Sequence, residues 1–210
     1  MVAQPLGVAK DGVVVLQAGQ EREAAAAIAA GHAGYPAFRH LWPDPRRRAR
    51  ALRPFLESMI RDAIPYGSVL ADVDGSRLSG VAVWLPPGAF PWTSRRKLRA
   101  APAFARVFLA DPRAFPTFVR FGANLERVHP TEPHWFLVVL SVRPEFQRRG
   151  VGSRLVVPML EAAERSSVPC YLETSDRANV AFYERFGFVV LDSELALLPG
   201  GPTLVAMRKT

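Results

Sequence analysis

The chain has 210 residues, 49% of them hydrophobic, which is enough for one domain with a substantial core. Its 27 basic and 19 acidic residues give a formal net charge of +8, a balance that suits an anionic partner such as a cofactor, nucleic acid or membrane surface. No apolar run reaches the ~18–20 residues of a membrane span and MVAQPLGVAK has no signal-peptide core, so we expect a soluble, cytoplasmic protein with no membrane partner.

The N-terminal part of the chain predicts three strands and two helices. They are a strand at 12–17, a helix at 21–30, a helix at 44–64, and strands at 68–73 and 78–85. Asp44 is the expected N-cap of the second helix, and Pro45 stands in its first turn, where proline is tolerated. Asp74-Gly75 favours a tight hairpin turn between the last two strands.

The densest cluster of basic residues lies on the second predicted helix. It comprises Arg46, Arg47, Arg48, Arg50 and Arg53. Because apolar residues occupy the opposite side of the same helix, we interpret the cluster as a solvated helix face. The chain has neither a helix-turn-helix pattern nor a basic strand with stacking aromatics, so we expect no nucleic-acid partner.

Residues 86–133 are interrupted by prolines and predict a helical insertion before the central strand. The segments 97–109 and 114–128 are the best helix candidates, with Pro116 in the first turn of the second. The insertion has the length of a lid over an acceptor site. Packing against the edge of the sheet is an equally sound interpretation.

The second half of the chain predicts a strand–helix–strand unit. An apolar strand begins at Trp135, an amphipathic helix covers 150–167, and a strand covers 170–174. Such a unit favours parallel pairing of its two strands. A short helix at 179–186, stopped by Gly187, and strands at 188–196 and 203–208 complete the chain.

The loop between the apolar strand and the helix has the composition of a diphosphate-binding site. Gly150 and Gly152 allow the backbone to approach an anion closely, and Arg148 and Arg149 supply positive charge. The rival interpretation is the dinucleotide pattern G-x-G-x-x-G, which is excluded because its third glycine position is Leu155.

The run Gln147-Arg148-Arg149-Gly150-Val151-Gly152 closely resembles the acetyl-CoA loop of the GNAT N-acetyltransferases. The later segment YLETSDRANVAFYERFGF resembles the part of that family in which Asn-x-x-x-Tyr lies on a helix. Within the family the chain looks most similar to the puromycin N-acetyltransferase group. The resemblance implies an α/β (α+β) fold of GNAT type: a central mixed, largely antiparallel twisted sheet, splayed at its two parallel central strands and flanked by helices.

The resemblance also implies an acetyl-CoA site and a set of residues that hold the coenzyme. These are Leu140, Ser141, Val142, Gln147, Arg148, Arg149, Gly150, Val151, Gly152, Ser153, Asn179 and Phe182. The Tyr183 hydroxyl is expected beside the coenzyme sulfur, where it would protonate the departing thiolate. Glu173 is the first candidate for the general base and Glu132 the second. Histidines without ligand spacing predict no metal.

The expected function is direct acetyl transfer to a primary amine of a small molecule, of an aromatic or aminoacyl, antibiotic-like type. Tyr35, Trp84 and Trp135, with Phe136, are the expected lining of an apolar acceptor pocket. Two alternatives stay open: an acetyltransferase for protein or peptide amino groups, and a non-catalytic acyl-CoA-binding regulatory module. One domain is expected over residues 1–210, as a monomer or homodimer.

Overall fold

The computed structural model describes residues 12–210, and its centre is one seven-stranded sheet. The strands are β1 (Val13–Val15), β2 (Val69–Asp74), β3 (Arg77–Leu85), β4 (Trp135–Val142), β5 (Cys170–Thr174), β6 (Val189–Ala196) and β7 (Thr203–Lys209). Their order is β1-β2-β3-β4-β5-β7-β6, and all neighbours are antiparallel except β4 and β5. The predicted mixed, largely antiparallel sheet with two parallel central strands is confirmed.

Helices cover both faces of this sheet. They are α1 (Glu21–Gly31), α2 (Pro36–Leu41), α3 (Pro45–Ala63), α4 (Ser94–Ala110), α5 (Phe115–Val128), α6 (Val151–Arg165) and α7 (Val180–Glu184), with single 3₁₀ turns at Ile64–Tyr66, Pro144–Phe146 and Arg177–Asn179. No helix within residues 12–210 is both long and apolar enough to cross a bilayer. The segment MVAQPLGVAK lies outside the described residues.

Alternation along the strands divides the core into two clusters, because successive side chains of a strand point to opposite faces. On one face, Tyr171 packs with residues of α1 and α3 such as Ile28 and Leu56. On the other face, Leu172 packs with residues of α6 such as Leu155. We call these the α1–α3 face and the α6 face.

The two parallel strands separate after three residue pairs. Trp135, Phe136 and Leu137 pair with Cys170, Tyr171 and Leu172, and no further pair follows. At this point β4 also carries a bulge, because Trp84 pairs with Leu137 and Val83 with Val139, which leaves Val138 as an extra residue. A bulge bends its strand and increases its twist. The resulting gap between the carboxyl ends of β4 and β5 is called the fork below.

The insertion packs on the helices of the α1–α3 face. Phe118 of α5 lies against Trp42 and Phe55 with ring centroids 5.3 and 5.2 Å apart. The side-chain amide of Asn124 donates to the carbonyl of Leu197 at 2.7 Å. Leu197 directly follows the edge strand β6, so this bond agrees with the interpretation that the insertion packs against the edge of the sheet. A role as a lid stays a prediction.

Most predicted elements are confirmed to within a few residues at their ends. Asp44 caps α3 as predicted, since its carboxylate accepts from the Arg47 N–H at 2.7 Å. The sequence prediction missed α2, which begins at Pro36, a few residues after the end of α1. A helix of six residues is too short to show a helical repeat of apolar positions.

Candidate active site

The fork is a gap between two strands of the sheet and carries the loops expected to bind a ligand. β4 is paired with β3 along its whole length, but its other edge is unpaired from Val138 to Val142. Backbone N–H and C=O groups on that edge can therefore receive an extended ligand in the manner of an added strand. Crevices at the carboxyl ends of neighbouring parallel strands are the usual ligand sites of open α/β sheets.

The loop after β4 is fixed to the hairpin at its base. The Arg143 N–H donates to the Ser79 carbonyl at 2.9 Å, and its guanidinium donates to the Leu78 carbonyl at 2.8 Å. Further on, Gln147 donates its side-chain amide to the Val142 carbonyl at 3.1 Å. The sequence thus builds a short rigid turn that leads directly from the fork to α6.

Two residues in the left-handed backbone conformation direct the end of this loop into α6. Arg148 has φ +60° and Gly150 has φ +79°, and Gly150 precedes the first residue of α6. No side chain from residues 12–210 caps this helix, so the N–H groups of its first turn, including those of Val151, Gly152 and Ser153, are free for an anion. Arg148 and Arg149 are exposed beside them. These features suit an anion, and the binding of a diphosphate by this loop stays a prediction.

Arg154, one turn into the helix, has a different task. Its guanidinium donates to both oxygens of Asp72, at 2.7 and 3.1 Å, and to the Arg149 carbonyl at 3.2 Å. Only 3% of the Asp72 side chain is exposed. A bidentate pair of this kind is geometrically specific, and here it ties α6 to β2. Arg154 therefore orients the helix whose N-terminus forms the anion site.

Residues from distant parts of the chain meet beside the first turn of α6. A Cβ on Gly152 would lie 3.2 Å from the ring of Phe182 and 3.9 Å from Val142. Glycine is thus needed because the backbone and the Phe182 ring are in close contact. The half-buried Leu140 and Val142 lie on the same face. The structure brings together the end of β4, the loop and α7, as the resemblance implies.

Tyr183 lies inside the protein next to the end of β5. It is 6% exposed and packs edge-on against Phe182 and Phe188, with centroids 5.2 and 5.8 Å apart. Burial, and secondly the neighbouring Tyr35, raise the pKa of its hydroxyl well above the usual value. One helical turn earlier, the Asn179 amide donates to the Thr174 hydroxyl at 3.4 Å. Both predicted residues therefore lie beside the carboxyl end of β5.

The segment between α1 and α2 covers the fork from the α1–α3 face. The Tyr35 hydroxyl accepts from the Ser175 N–H at 2.8 Å, and the Ser175 hydroxyl accepts from the Ala37 N–H at 3.1 Å. These bonds fix Tyr35 across the end of β5. Tyr35 is half-buried, which fits its predicted place at an acceptor site.

His32 belongs to the same segment and was missed by the sequence prediction. Its Nδ1 lies 2.9 Å from the Ser141 hydroxyl and 3.2 Å from the Ile28 carbonyl. Burial lowers the pKa of His32 to about 4, against the smaller opposing effects of the Ile28 carbonyl and Asp176. The ring is therefore neutral at pH 7. A glycine-flanked histidine in a loop gave no periodic signal that would have identified it.

Glu173, the candidate base, lies at the fork and is close to a pair of histidines. Its side chain is 3% exposed and its Oε1 lies 3.5 Å from Nδ1 of His129. His129 Nε2 in turn lies 2.9 Å from His134 Nε2. The prediction missed both histidines as partners, because 44 and 39 residues separate them from Glu173 and only the folded chain brings them together. The alternative base, Glu132, is exposed at the opposite end of β4 from the fork.

The two predicted pocket tryptophans are core residues, which corrects the expectation for both. Trp84 is 0% exposed and Trp135 7%, and both pack in the cluster on the α6 face. Trp84 alternates with Val83 and Leu85, which pack on the opposite face of the sheet. Phe136 is also buried, on the α1–α3 face. Aromatic side chains near a predicted site are easily mistaken for its lining, because burial cannot be read from composition.

Within the described range, no group of three or more His, Cys, Asp or Glu side chains is arranged to hold a metal ion.

Comparison with known proteins identifies a family whose sequence model matches this chain. The model of the acetyltransferase (GNAT) family matches residues 35–188. A mycothiol acetyltransferase of Streptomyces coelicolor is 34% identical over 77 residues, which are 35% of this chain and 25% of that protein. An uncharacterised N-acetyltransferase of Schizosaccharomyces pombe is 36% identical over 59 residues, 28% of this chain and 24% of that protein. The chain thus spans about a quarter of the length of these relatives.

Solved structures share the fold over almost the whole chain. The histone acetyltransferase HPA2 and related acetyltransferase of Corynebacterium glutamicum is 23% identical, with 94% of both chains covered and a TM-score of 0.67. Arylalkylamine N-acetyltransferase 2 of Aedes aegypti is 13% identical, with 94% and 97% covered and a TM-score of 0.58. At such identities the likeness shows the fold alone. Since the family model matches well over half of its length, this chain belongs to the acetyltransferase (GNAT) family.

Proposed function

We propose that the protein is an acetyl-CoA-dependent N-acetyltransferase that acts on a primary amine of a small molecule. The observation that carries the proposal is the fork: an unpaired edge of β4, with an uncapped, arginine-flanked helix N-terminus at one end and a buried tyrosine across the gap. Together these features fit a ligand that is anionic at one end and extended in the middle, as acetyl-CoA is.

The residues of the loop and fork would hold the coenzyme in two ways. The first-turn N–H groups of α6, with Arg148 and Arg149, would bind the diphosphate, since helix N-termini and guanidinium groups both favour phosphate. The unpaired edge of Leu140 to Val142 would bind the pantetheine arm through backbone hydrogen bonds. N–H groups of the same edge would stabilise the thioester oxygen as negative charge develops on it.

Tyr183 would act on the leaving sulfur. Because its pKa is raised by burial, the hydroxyl keeps its proton at neutral pH and is available as a donor. A neutral amine attacks the acetyl carbon, the C–S bond breaks, and the proton of Tyr183 passes to the CoA thiolate. The proton that the attacking nitrogen loses as the amide forms then restores the tyrosine hydroxyl. Neither a covalent acetyl-enzyme nor a second nucleophile is needed for this step.

Glu173 would remove the proton that the amine must lose. Its carboxylate stands at the first unpaired level of the fork, on the α1–α3 face. Because only 3% of its side chain is exposed, we propose that the proton reaches it through a water molecule. Glu132 is exposed and lies at the far end of β4, which favours Glu173 over it.

The acceptor class rests on the segment that covers the fork. The rings of His32, Tyr35 and Phe38 pack together with centroids 4.9 to 5.8 Å apart, so the wall of the fork on the α1–α3 face is aromatic. Such a wall favours an amine beside an aromatic or apolar body, and the net charge of +8 disfavours polycations. The resemblance to the puromycin N-acetyltransferase group points to the same class. A peptide amino group is the second candidate.

A thiol-release assay with acetyl-CoA and a panel of amines tests the proposal. We expect a larger kcat/KM for aminoacyl amides and aryl-substituted amines than for spermidine or an aminoglycoside at physiological salt. A preference for the polycations would refute the acceptor class, and a preference for peptide N-termini would support the second candidate. Binding of acetyl-CoA without turnover of any amine would favour a regulatory coenzyme-binding module instead.

A further inference from the structure

Three titratable side chains form a continuous chain beneath the helices of the α1–α3 face. Glu173 Oε1 lies 3.5 Å from His129 Nδ1, and His129 Nε2 lies 2.9 Å from His134 Nε2. His134 Nδ1 lies 2.7 Å from the backbone carbonyl of Glu132. One end of this chain is at the fork, and the other is at the beginning of β4, at the opposite end of the central strands.

The carbonyl at the outer end determines which nitrogens carry protons. A carbonyl only accepts hydrogen bonds, so Nδ1 of His134 must donate to Glu132. In a neutral His134, Nε2 is then an acceptor, and His129 must donate to it from its own Nε2. A neutral His129 would turn an unprotonated Nδ1 towards Glu173.

That arrangement leaves room for one mobile proton. His129 Nδ1 and Glu173 Oε1 are both buried, and neither has a hydrogen-bond partner within residues 12–210. A carboxylate and a bare ring nitrogen would repel each other at 3.5 Å, whereas one proton between them removes the conflict. The proton can then move from Glu173 to His129 Nδ1, while the Nε2 proton of His129 moves to His134, without rotation of either ring. The His134 imidazolium releases its Nδ1 proton to water at the surface, and both rings regain their first tautomers by rotating before the next transfer.

Acetylation of an amine produces one proton of this kind. An ammonium substrate has three protons on nitrogen, and the amide product has one. Of the two protons lost, one ends on the CoA sulfur and the other must leave the active site. If it stayed on Glu173, the carboxyl could not accept a proton in the next turnover.

We propose that His129 and His134 relay this proton from Glu173 to the surface at the beginning of β4. The inference rests on the proposed acetyltransferase function. His134 suits the outer position because burial, its main perturbation, lowers its pKa, so the ring does not retain the proton. It is also, at 9% exposed, at the border of the interior and next to the exposed Glu132.

Other titratable or charged groups face the relay from neighbouring strands. Tyr171 of β5 packs against both histidine rings, with centroids 5.2 and 5.3 Å away, and burial together with Glu173 raises the pKa of its hydroxyl. Arg208 of β7, which pairs with Tyr171, adds positive charge beside His134. Asp192 of β6 adds negative charge on the same side. Tyr171 therefore stays neutral and serves as the wall of the relay.

The test compares His129→Gln and His134→Asn with His40→Gln, an exposed histidine away from the relay. The amide introduced by His134→Asn can keep the bond to the Glu132 carbonyl but offers nothing in place of Nε2, so the fold is retained while the relay is broken. We expect kcat to fall by about 10²-fold in both relay variants, with the KM for acetyl-CoA unchanged. His40→Gln should match the unmodified protein.

One further readout separates a relay from a packing role. In His134→Asn, added imidazole should restore turnover in proportion to its concentration. If His129→Gln does not fold, His134→Asn decides alone.

Unchanged kcat in folded His134→Asn, or a loss of kcat without rescue by imidazole, overturns the relay while the acetyltransferase function stands. If the unmodified protein acetylates no amine in the panel, the proposed function fails, and the relay fails with it.

Discussion

Tyr183 combines a buried hydroxyl with a place at the end of β5, and this combination makes a direct prediction. Tyr183→Phe removes the proton donor but keeps the ring that packs against Phe182 and Phe188. We expect kcat to fall by about 10²-fold or more, within the range for a general acid, while acetyl-CoA affinity changes little. Steady-state kinetics and calorimetry measure the two effects.

A matched control is Tyr66→Phe, because Tyr66 lies in the 3₁₀ turn after α3, away from the fork. Full turnover in Tyr183→Phe would show that the thiolate leaves unaided and that Tyr183 only packs.

His32 makes the stability of the protein depend on pH. The pKa of its ring is about 4 in the folded protein and 6.5 when the ring is exposed, so between these values the unfolded chain binds a proton that the folded chain does not. Its contribution to stability is complete above pH 6.5 and is lost as the pH falls to about 4. The loss amounts to about 3 kcal/mol, from the linkage of pKa and stability.

The variant His32→Asn carries no titrating ring and provides the comparison. Between pH 7 and pH 4, the free energy of unfolding of the unmodified protein should fall by about 3 kcal/mol relative to that of His32→Asn. Urea unfolding at both pH values measures this difference. A difference that stays constant over this range would contradict the assignment of a buried neutral ring.

At the scale of elements, α6 has arginines at both ends, and we expect those at its N-terminus to contribute more to coenzyme binding than the one at its C-terminus. Arg148 and Arg149 flank its N-terminus, whereas Arg165 is exposed at its other end. Arg148→Ala and Arg149→Ala should each weaken acetyl-CoA binding by about 1.5–3 kcal/mol, the range for hydrogen bonds to charged groups. Arg165→Ala, which removes the same charge from the same helix, should leave the affinity unchanged. Calorimetry at constant salt measures all three, and equal losses would mean that net charge alone attracts the coenzyme.

Gly150 provides a second test of the same loop. Gly150→Val places a side chain where the diphosphate would lie and strains a residue with φ +79°, so we expect acetyl-CoA binding to be lost in a folded protein. Gly88→Val is the control, because Gly88 has φ +75° and open space around it but follows the end of β3 that is opposite to the loop. It should show a similar backbone strain and normal coenzyme affinity. Normal affinity in Gly150→Val would make the loop structural.

The elements also show where sequence reasoning succeeds. The strands, the hairpin at Asp74 and the helices α3 to α6 were predictable because each has a local repeat of apolar residues or a local capping signal. The loop of Gly150 was predictable for the same reason, since its residues are contiguous. The group of Glu173, His129 and His134 was not, because no local pattern records which residues meet across a sheet. Trp84 failed in the opposite sense, since helices cover both faces of the sheet and an aromatic residue on either face of β3 is buried.

At the scale of the whole molecule, the charge of +8 raises the question of nucleic acid. The arginines at the start of α3 are exposed and ordinary for a solvated helix, and Arg48 donates to the Trp42 carbonyl at 2.7 Å rather than projecting freely. We expect a gel-shift assay to show no retained complex with duplex DNA at about 150 mM salt, where non-specific affinities are roughly 10⁻⁴–10⁻⁶ M. A complex that forms tightly and dissociates steeply with added salt would require a nucleic-acid role.

The brevity of the ladder between β4 and β5 has a mechanical consequence. Only three residue pairs join β4 to β5, so few backbone hydrogen bonds connect the two halves of the sheet. A pantetheine arm that fills the gap would bridge the two halves, and the donor substrate would then stiffen the protein that consumes it. A ligand at about 100 times its Kd adds about 2.7 kcal/mol to the stability of a folded protein. Each turnover would thus loosen the sheet when CoA departs and tighten it when the next acetyl-CoA arrives.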